Sequence, residues 1–131
     1  MGKYGPYKLI VGCDILHNVD MEIELRNIYR SLEKKGMTIF SEPGALNISW
    51  YIYFFLKRNW NYEKGAVNCT FFNLKKVFKN NGFSGIEIEG LGLFPRIFFQ
   101  NETLCKFNDW LGNLPVLKLF AYRYIIIAYK G

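Results

Sequence analysis

The sequence predicts an α/β fold in which one sheet is flanked by helices. Short apolar runs typical of buried strands lie at residues 8–13 and 37–41, and an amphipathic helical segment with short connections lies between them. Strand, helix and strand in this order form a βαβ unit with a right-handed crossover. At 131 residues the chain has the length of one domain, taken here as residues 1–131.

The two strands of this unit have the composition of central strands. Residues 8–13 (KLIVGC) are an almost continuous apolar run, as expected of a strand covered on both faces, and Asp14 ends the run. Residues 37–41 (MTIFS) form a second run, which residues 42–44 are expected to stop because they include proline and glycine.

The helix between these strands has clear predicted boundaries. Asp20 is a residue type that caps helix N-termini. The apolar residues that follow fall on one face, namely Met21, Leu25, Ile28 and Leu32. Lys34 and Lys35 suit the negative end of the helix dipole, and Gly36 is expected to follow the last turn.

Three further helices are predicted in the rest of the chain. Residues 46–59 place aromatic and aliphatic side chains at helical spacing. Thr70 is the expected N-cap of a helix that ends at residues 81–82. Asn101 is the expected cap of a short helix, whose apolar face consists of Leu104, Phe107 and Leu111.

Two more strands complete the predicted order. Residues 86–89 alternate apolar and acidic side chains, as a half-exposed or edge strand does. Gly90, Gly92 and Pro95 are expected to break the chain after that strand. Residues 120–129 (FAYRYIIIAY) are rich in aromatic and β-branched residues and predict the last strand.

The composition restricts the classes of function. Half of the residues are hydrophobic and 21% are charged, which excludes a disordered chain. The net charge of +6 suits an anionic partner. However, the lysines and arginines are dispersed along the predicted helices, which favours solvated faces over a nucleic-acid groove. The basic charge and the aromatic helix also fit a peripheral membrane binder.

The cysteines and the longest apolar runs indicate a reduced, cytoplasmic protein. Cys13, Cys69 and Cys105 form no CxxC pair, so neither a zinc ribbon nor a disulfide scaffold is expected. No apolar run approaches the roughly 20 residues that a membrane span needs.

Four local signatures, in this order and spacing, are similar to the second half of class I S-adenosylmethionine-dependent methyltransferases. They are CDILHNV (13–19), ELRNIYRSLEKKG (24–36), FSEP (40–43) and KKVFKNNGF (75–83). The resemblance implies a partial Rossmann-like sheet with strands equivalent to 4-5-7-6 of that family, the last strand being antiparallel. It also implies a methyltransferase-like C-terminal half-domain.

The glycine-rich cofactor loop of that family, and the acidic residue that follows it, are absent from this sequence. Its one GxG, at residues 90–92, is interpreted as a turn. The resemblance therefore implies the acceptor-side half of the fold, inactive alone, with S-adenosylmethionine as its cofactor and weak or no binding of that cofactor by this chain by itself. The alternative is a non-catalytic oligomeric binding or assembly module derived from a truncated methyltransferase.

The loop after the first strand holds the catalytic and cofactor candidates. By the resemblance, Gly12, Cys13 and Leu16 lie beside the cofactor, and Asp14 and His17 lie at the acceptor. His17 is the single histidine, the residue type whose ordinary pKa suits proton transfer near neutrality. An exposed loop pair or a helix-capping acid is an equally good interpretation of Asp14 and His17.

Acceptor contacts are assigned by position to Glu42, Trp50 and Tyr53. Glu42 follows the second strand, where it either faces an acceptor or simply ends the strand. Trp50 and Tyr53 belong to the aromatic helix in the family's acceptor-lid region, where they line a pocket for an apolar or lipid-like acceptor or pack in the core. No metal site is indicated.

The first strand also predicts a partner. It has the composition of a central strand but is the first strand that this sequence supplies, so one edge is left without a neighbour. We expect either a complementary N-terminal half or a second copy, giving a dimer, to pair with residues 8–13.

Overall fold

The structure is a computed structural model that describes residues 5–57, 68–94 and 100–131, without the side chains of residues 53–55 and 57. These residues form a four-stranded mixed sheet flanked by helices. The predicted α/β class is therefore confirmed. No helix among these residues is both long and apolar enough to cross a membrane.

The four strands pair in the order β1-β2-β4-β3. Their bounds are β1 Tyr7–Cys13, β2 Leu32–Pro43, β3 Phe83–Leu91 and β4 Arg123–Lys130. Strand β1 runs parallel to β2, whereas β4 lies between β2 and β3 and is antiparallel to both. This order and the reversed last strand agree with the arrangement that the resemblance implied. The fourth strand along the chain therefore holds the two sides of the sheet together.

Within the described ranges, four helices connect and cover these strands. They are α1 Met21–Ser31, α2 Ile48–Lys57, α3 Phe71–Asn80 and α4 Glu102–Gly112. Three predicted N-caps are confirmed, because Asp20, Thr70 and Asn101 each accept a hydrogen bond from a backbone N–H of the first turn. Residues Leu16–Asn18 and Leu117–Phe120 form short 3₁₀ turns.

The predicted end of α1 is wrong. The helix stops at Ser31, and Lys34 and Lys35 belong to β2 instead. Lys35 has a φ of 68°, in the left-handed region. Gly36 is needed for a close approach, since a Cβ there would lie 2.8 Å from the Glu33 carbonyl oxygen. The same strand continues through Glu42 to Pro43, beyond its predicted end.

The boundaries of the last two strands also differ from the prediction. Strand β4 begins at Arg123, because the preceding residues turn and the Tyr122 N–H donates to the Gly92 carbonyl, 2.6 Å away. Gly90 lies inside β3 rather than breaking it. Strand β3 pairs on one side only, with β4, so the predicted edge position is confirmed. Pro95 lies outside the described residues.

Strand β1 is covered less than its composition suggests. Ile10 is buried, but Leu9 and Val11 are 48% and 65% exposed. The strand pairs with β2 alone, which leaves its other edge open among the described residues. The prediction of a strand covered on both faces is therefore wrong, because no element of the described residues packs over Leu9 and Val11.

The core lies between the sheet and helices α1 and α3. Its fully buried side chains include Leu25 and Ile28 of α1, Phe78 of α3, and Tyr124 and Ile126 of β4. Burying several such side chains contributes roughly 1.5–3 kcal/mol each. The amphipathic face predicted for α1 is the face that the structure buries.

Helix α4 does not bury the whole apolar face predicted for it. Leu104 and Phe107 are 49% and 54% exposed, whereas the buried residues of the helix are Asn108 and Gly112. A Cβ at Gly112 would lie 2.4 Å from the backbone nitrogen of Gly92, so only glycine permits this contact. Close backbone approach therefore sets the orientation of this helix.

Candidate functional site

The candidate site lies where the parallel strands β1 and β2 end. Cys13 and Ser41 are paired across these strands, and the Asp14 N–H donates to the Ser41 carbonyl at 2.9 Å. Asp14 has a φ of 55°, a left-handed conformation that is uncommon for residues other than glycine. This turn directs the next residues over the end of β2.

Glu42 anchors the loop that follows β1 through hydrogen bonds to residues 15–17. Its side chain is fully buried at the end of β2. One carboxylate oxygen accepts hydrogen bonds from the backbone N–H groups of Ile15 and Leu16, at 3.1 and 2.9 Å. The other oxygen lies 2.9 Å from Nδ1 of His17. Both carboxylate oxygens are thus engaged within the protein, as burial of a carboxylate requires.

His17 is oriented by this contact. It is only 6% exposed. Because an ionised carboxylate can only accept, we assign the ring proton to Nδ1, which makes Nε2 the nitrogen that accepts a proton in the neutral ring. A buried carboxylate behind a histidine fixes its tautomer and stabilises its protonated form. His17 and Glu42 therefore form an oriented acid–base pair.

Asp14 is paired with a residue that the sequence interpretation missed. Arg123, at the start of β4, donates from Nη1 to Oδ1 of Asp14 at 2.8 Å, and Nη2 donates to the same oxygen. Burial alone would lower the pKa of Arg123, but the hydrogen bonds and charge of Asp14 outweigh it and raise that pKa. Arg123 is the single charged residue within residues 120–129, and this feature of the sequence could have marked it as a site residue.

Trp50 lies beside the pair of Asp14 and Arg123. Its ring stacks on Tyr122 with centroids 4.6 Å apart, and its Nε1 donates to the Tyr122 carbonyl. The Arg123 guanidinium lies 5.7 Å from the centre of the Trp50 ring. The structure thus brings Trp50 and Asp14 together through Arg123. The side chain of Tyr53 lies outside the described residues.

The three cofactor candidates differ in accessibility. A Cβ at Gly12 would lie 2.4 Å from the Phe40 ring, so Gly12 is required for packing. Leu16 is fully buried, whereas Cys13 is exposed. Among these three residues, only Cys13 presents a side chain at the surface.

Ligand atoms of Asp14, His17 and Glu42 lie within 4.8 Å of one another, which is close enough for a metal ion. These groups already have partners, however. Glu42 is bonded to the loop and to His17, and Asp14 is bonded to Arg123. A metal ion would have to displace these hydrogen bonds.

A cleft of about 370 Å³ opens beside His17. It lies between the start of α1 and the start of α3, with Asp20, Glu22, Asn68 and Asn73 among its lining residues. Both helices begin at the end of the sheet where the parallel strands stop. An oriented histidine beside such a cleft can accept a proton from a bound hydroxyl or amine.

No family model and no curated protein matches this sequence. The fold, however, is shared with solved S-adenosylmethionine-dependent methyltransferases. One from Thermotoga maritima is 16% identical, with a TM-score of 0.64 over 96% of this chain and 57% of that chain. One from Archaeoglobus fulgidus is 15% identical, with a TM-score of 0.62 over 96% of this chain and 61% of that chain.

A third similar structure contains the cofactor. It is phosphoethanolamine N-methyltransferase 2 of Haemonchus contortus in complex with S-adenosylmethionine, 18% identical, with a TM-score of 0.57 over 95% of this chain and 33% of that chain. This chain spans less than two thirds of each of these proteins. The likeness establishes a methyltransferase-like Rossmann fold.

Proposed function

We propose that this chain supplies the acceptor-side, C-terminal half of an S-adenosylmethionine-dependent methyltransferase. The observation that carries the proposal is the buried pair of His17 and Glu42 at the ends of β1 and β2. Open α/β sheets bind their ligands at this end of the strands. The fold that surrounds the pair is shared with solved methyltransferases.

In this proposal His17 is the catalytic residue. Its Nε2 would take the proton that a bound acceptor hydroxyl or amine releases. Glu42 is a positioning residue, because its carboxylate contacts the loop and Nδ1 of His17 rather than the cleft. Asp14 and Trp50 both contact Arg123 beyond the end of β1.

The described residues do not form a complete site for S-adenosylmethionine. The glycine-rich loop is absent from the sequence, and of the three candidate contacts Leu16 is fully buried and Gly12 is half-buried against the Phe40 ring. When bound, the cofactor supplies an electrophilic methyl group. We therefore assign no transfer step to this chain alone and propose that most cofactor contacts come from a complementary half.

The exposed edge of β1 supports this proposal of a partner. Leu9 and Val11 are about half exposed or more, beside backbone groups that pair on one side only. Such an edge is a template for another strand. A complementary half that adds its strand to β1 would extend the sheet and cover these side chains.

The same edge favours the alternative, a non-catalytic oligomeric binding or assembly module. Two copies that pair their β1 strands about a two-fold axis would form one continuous sheet. Sedimentation of the chain with Val11→Lys, compared with Ile23→Lys at a similarly exposed site on α1, distinguishes the two. A dimer that only Val11→Lys dissociates supports the assembly module.

Calorimetry with S-adenosylmethionine tests the half-domain proposal directly. We expect no binding by the isolated chain up to millimolar concentrations, and micromolar affinity would contradict the proposal. A chimera that places the N-terminal part of the Thermotoga maritima protein before Tyr7 should bind the cofactor if it folds. In such a chimera, His17→Gln, whose side-chain amide can still donate to Glu42, should lower turnover more than it lowers stability, whereas Arg26→Ala at an exposed position should change neither.

A further inference from the structure

Helix α2 presents an apolar stripe to solvent. Ile48, Ile52 and Leu56 are spaced one turn apart and therefore lie on one face of the helix. They are 72%, 55% and 73% exposed. Single exposed apolar residues are ordinary, but a continuous stripe of three marks a surface that binds something.

The other face of the same helix is fixed to the protein. Trp50 stacks on Tyr122 and hydrogen-bonds to its carbonyl group. The Tyr51 hydroxyl donates to the carbonyl of Ala45. These contacts prevent the helix from rotating to bury the stripe, so the stripe faces outward as a property of the fold.

The stripe continues beyond the start of the helix. Asn47 is 5% exposed, and its side-chain amide donates to the Phe120 carbonyl at 2.9 Å. This hydrogen bond places Phe120 beside the beginning of α2. Phe120 and Leu46 are themselves 48% and 50% exposed. We call this set the α2 apolar surface, and it consists of Leu46, Ile48, Ile52, Leu56 and Phe120.

The charge of the chain indicates what covers this surface. The sequence of α2, ISWYIYFFLK, has no charged residue before Lys57, and Arg58 follows directly. The whole chain carries a net charge of +6. We propose that the α2 apolar surface docks on the surface of an anionic lipid bilayer, with the helix lying in the plane of the interface.

The residue types favour lipid over a protein partner. Energetic centres of protein interfaces are enriched in Trp, Tyr and Arg, and Leu is under-represented there. Among the described side chains of α2, the aromatic Trp50 and Tyr51 pack against the protein, whereas the α2 apolar surface is aliphatic apart from Phe120. The binding of an interfacial helix increases with the apolar area that it buries and with electrostatic attraction to anionic lipids, and here the net charge of the chain supplies that attraction. This inference is independent of methyl transfer.

Vesicle co-sedimentation tests the proposal on the full chain. The probes are vesicles of phosphatidylcholine alone and of phosphatidylcholine with about a quarter phosphatidylglycerol. We expect binding to the anionic vesicles, at least about fivefold weaker binding to the neutral ones, and a decrease as salt screens the net charge. Equal binding to both vesicles, or none to either, overturns the proposal.

A pair of matched variants separates the stripe from general hydrophobicity. Ile52→Glu on α2 and Ile23→Glu on α1 change the same residue type at 55% and 58% exposure. Ile52→Glu should weaken vesicle binding at least about tenfold, and Ile23→Glu should leave it within about twofold. Ile48→Glu provides a second variant of the stripe, and circular dichroism confirms the fold of each. Equal losses of vesicle binding in Ile52→Glu and Ile23→Glu would reject the lipid surface. An oligomer that forms without vesicles and that Ile52→Glu dissociates would also reject it, because such an oligomer indicates a protein partner.

Discussion

Removing the Glu42 carboxylate should destabilise the fold more than any comparable surface change. Glu42→Ala leaves the N–H groups of Ile15 and Leu16 and Nδ1 of His17 without their acceptor in a buried position. Breaking a buried, charge-assisted set of this kind costs about 3–5 kcal/mol. For a chain of 131 residues this lowers Tm by about 10–20 °C.

Urea denaturation followed by circular dichroism, at one fixed protein concentration, measures this loss as a change in the free energy of unfolding. Glu89→Ala, at an exposed position in β3, is the control and should change that free energy by less than about 0.5 kcal/mol. A Glu42→Ala variant within about 1 kcal/mol of the parent would show that the loop does not depend on this carboxylate.

Glu42→Gln refines the same test. The glutamine oxygen can still accept from the two backbone N–H groups, but its amide group donates toward His17. We therefore expect a smaller loss of about 1–2 kcal/mol, together with a change of the His17 tautomer. Imidazole nitrogen chemical shifts report that tautomer. An unchanged tautomer in Glu42→Gln would contradict the proton position assigned to Nδ1.

Three further predictions concern other buried or paired groups. Burial raises the pKa of Tyr124 to about 12. The resulting contribution to stability is complete below the unfolded pKa near 10 and should be lost as the pH rises toward 12. Alkaline denaturation curves should therefore show a weaker pH dependence in Tyr124→Phe. A double-mutant cycle between Asp14 and Arg123 should give a coupling of about 0.5–1 kcal/mol that decreases in high salt, because the pair is partly exposed. Thiol labelling should modify the exposed Cys13 rapidly and Cys69 only on unfolding, since burial raises the pKa of the Cys69 thiol. Because Cys105 is partly exposed, the decisive variant is Cys13→Ser combined with Cys105→Ser, and rapid labelling of that variant would contradict the assignment.

Sequence patterns predicted those features of the fold that depend on residues close together in the chain. The N-caps Asp20, Thr70 and Asn101 could be identified because a cap acts within one turn. The end of α1 could not, since the reversal at Lys35 and the close packing of Gly36 depend on contacts with other segments. Composition likewise failed for α4, whose orientation follows from glycine contacts rather than from its apolar face.

The candidate site also has features that the sequence predicted and features that it did not. The sequence identified Asp14, His17 and Glu42 individually, but not the hydrogen bond that joins the last two. Arg123 was missed because it comes more than 100 residues after Asp14 and was interpreted as part of a strand. Pairings over such separations depend on the sheet order, which places the start of β4 beside the ends of β1 and β2.

The central position of β4 also affects how the chain folds during synthesis. Among the four strands it is made last, yet β2 and β3 are joined only through it. Until β4 leaves the ribosome, β3 has no strand beside it and β2 has only β1. Sheets that depend on such distant pairings fold slowly and expose unpaired edges meanwhile. The nascent chain is therefore expected to be a substrate for chaperones until its last strand is released.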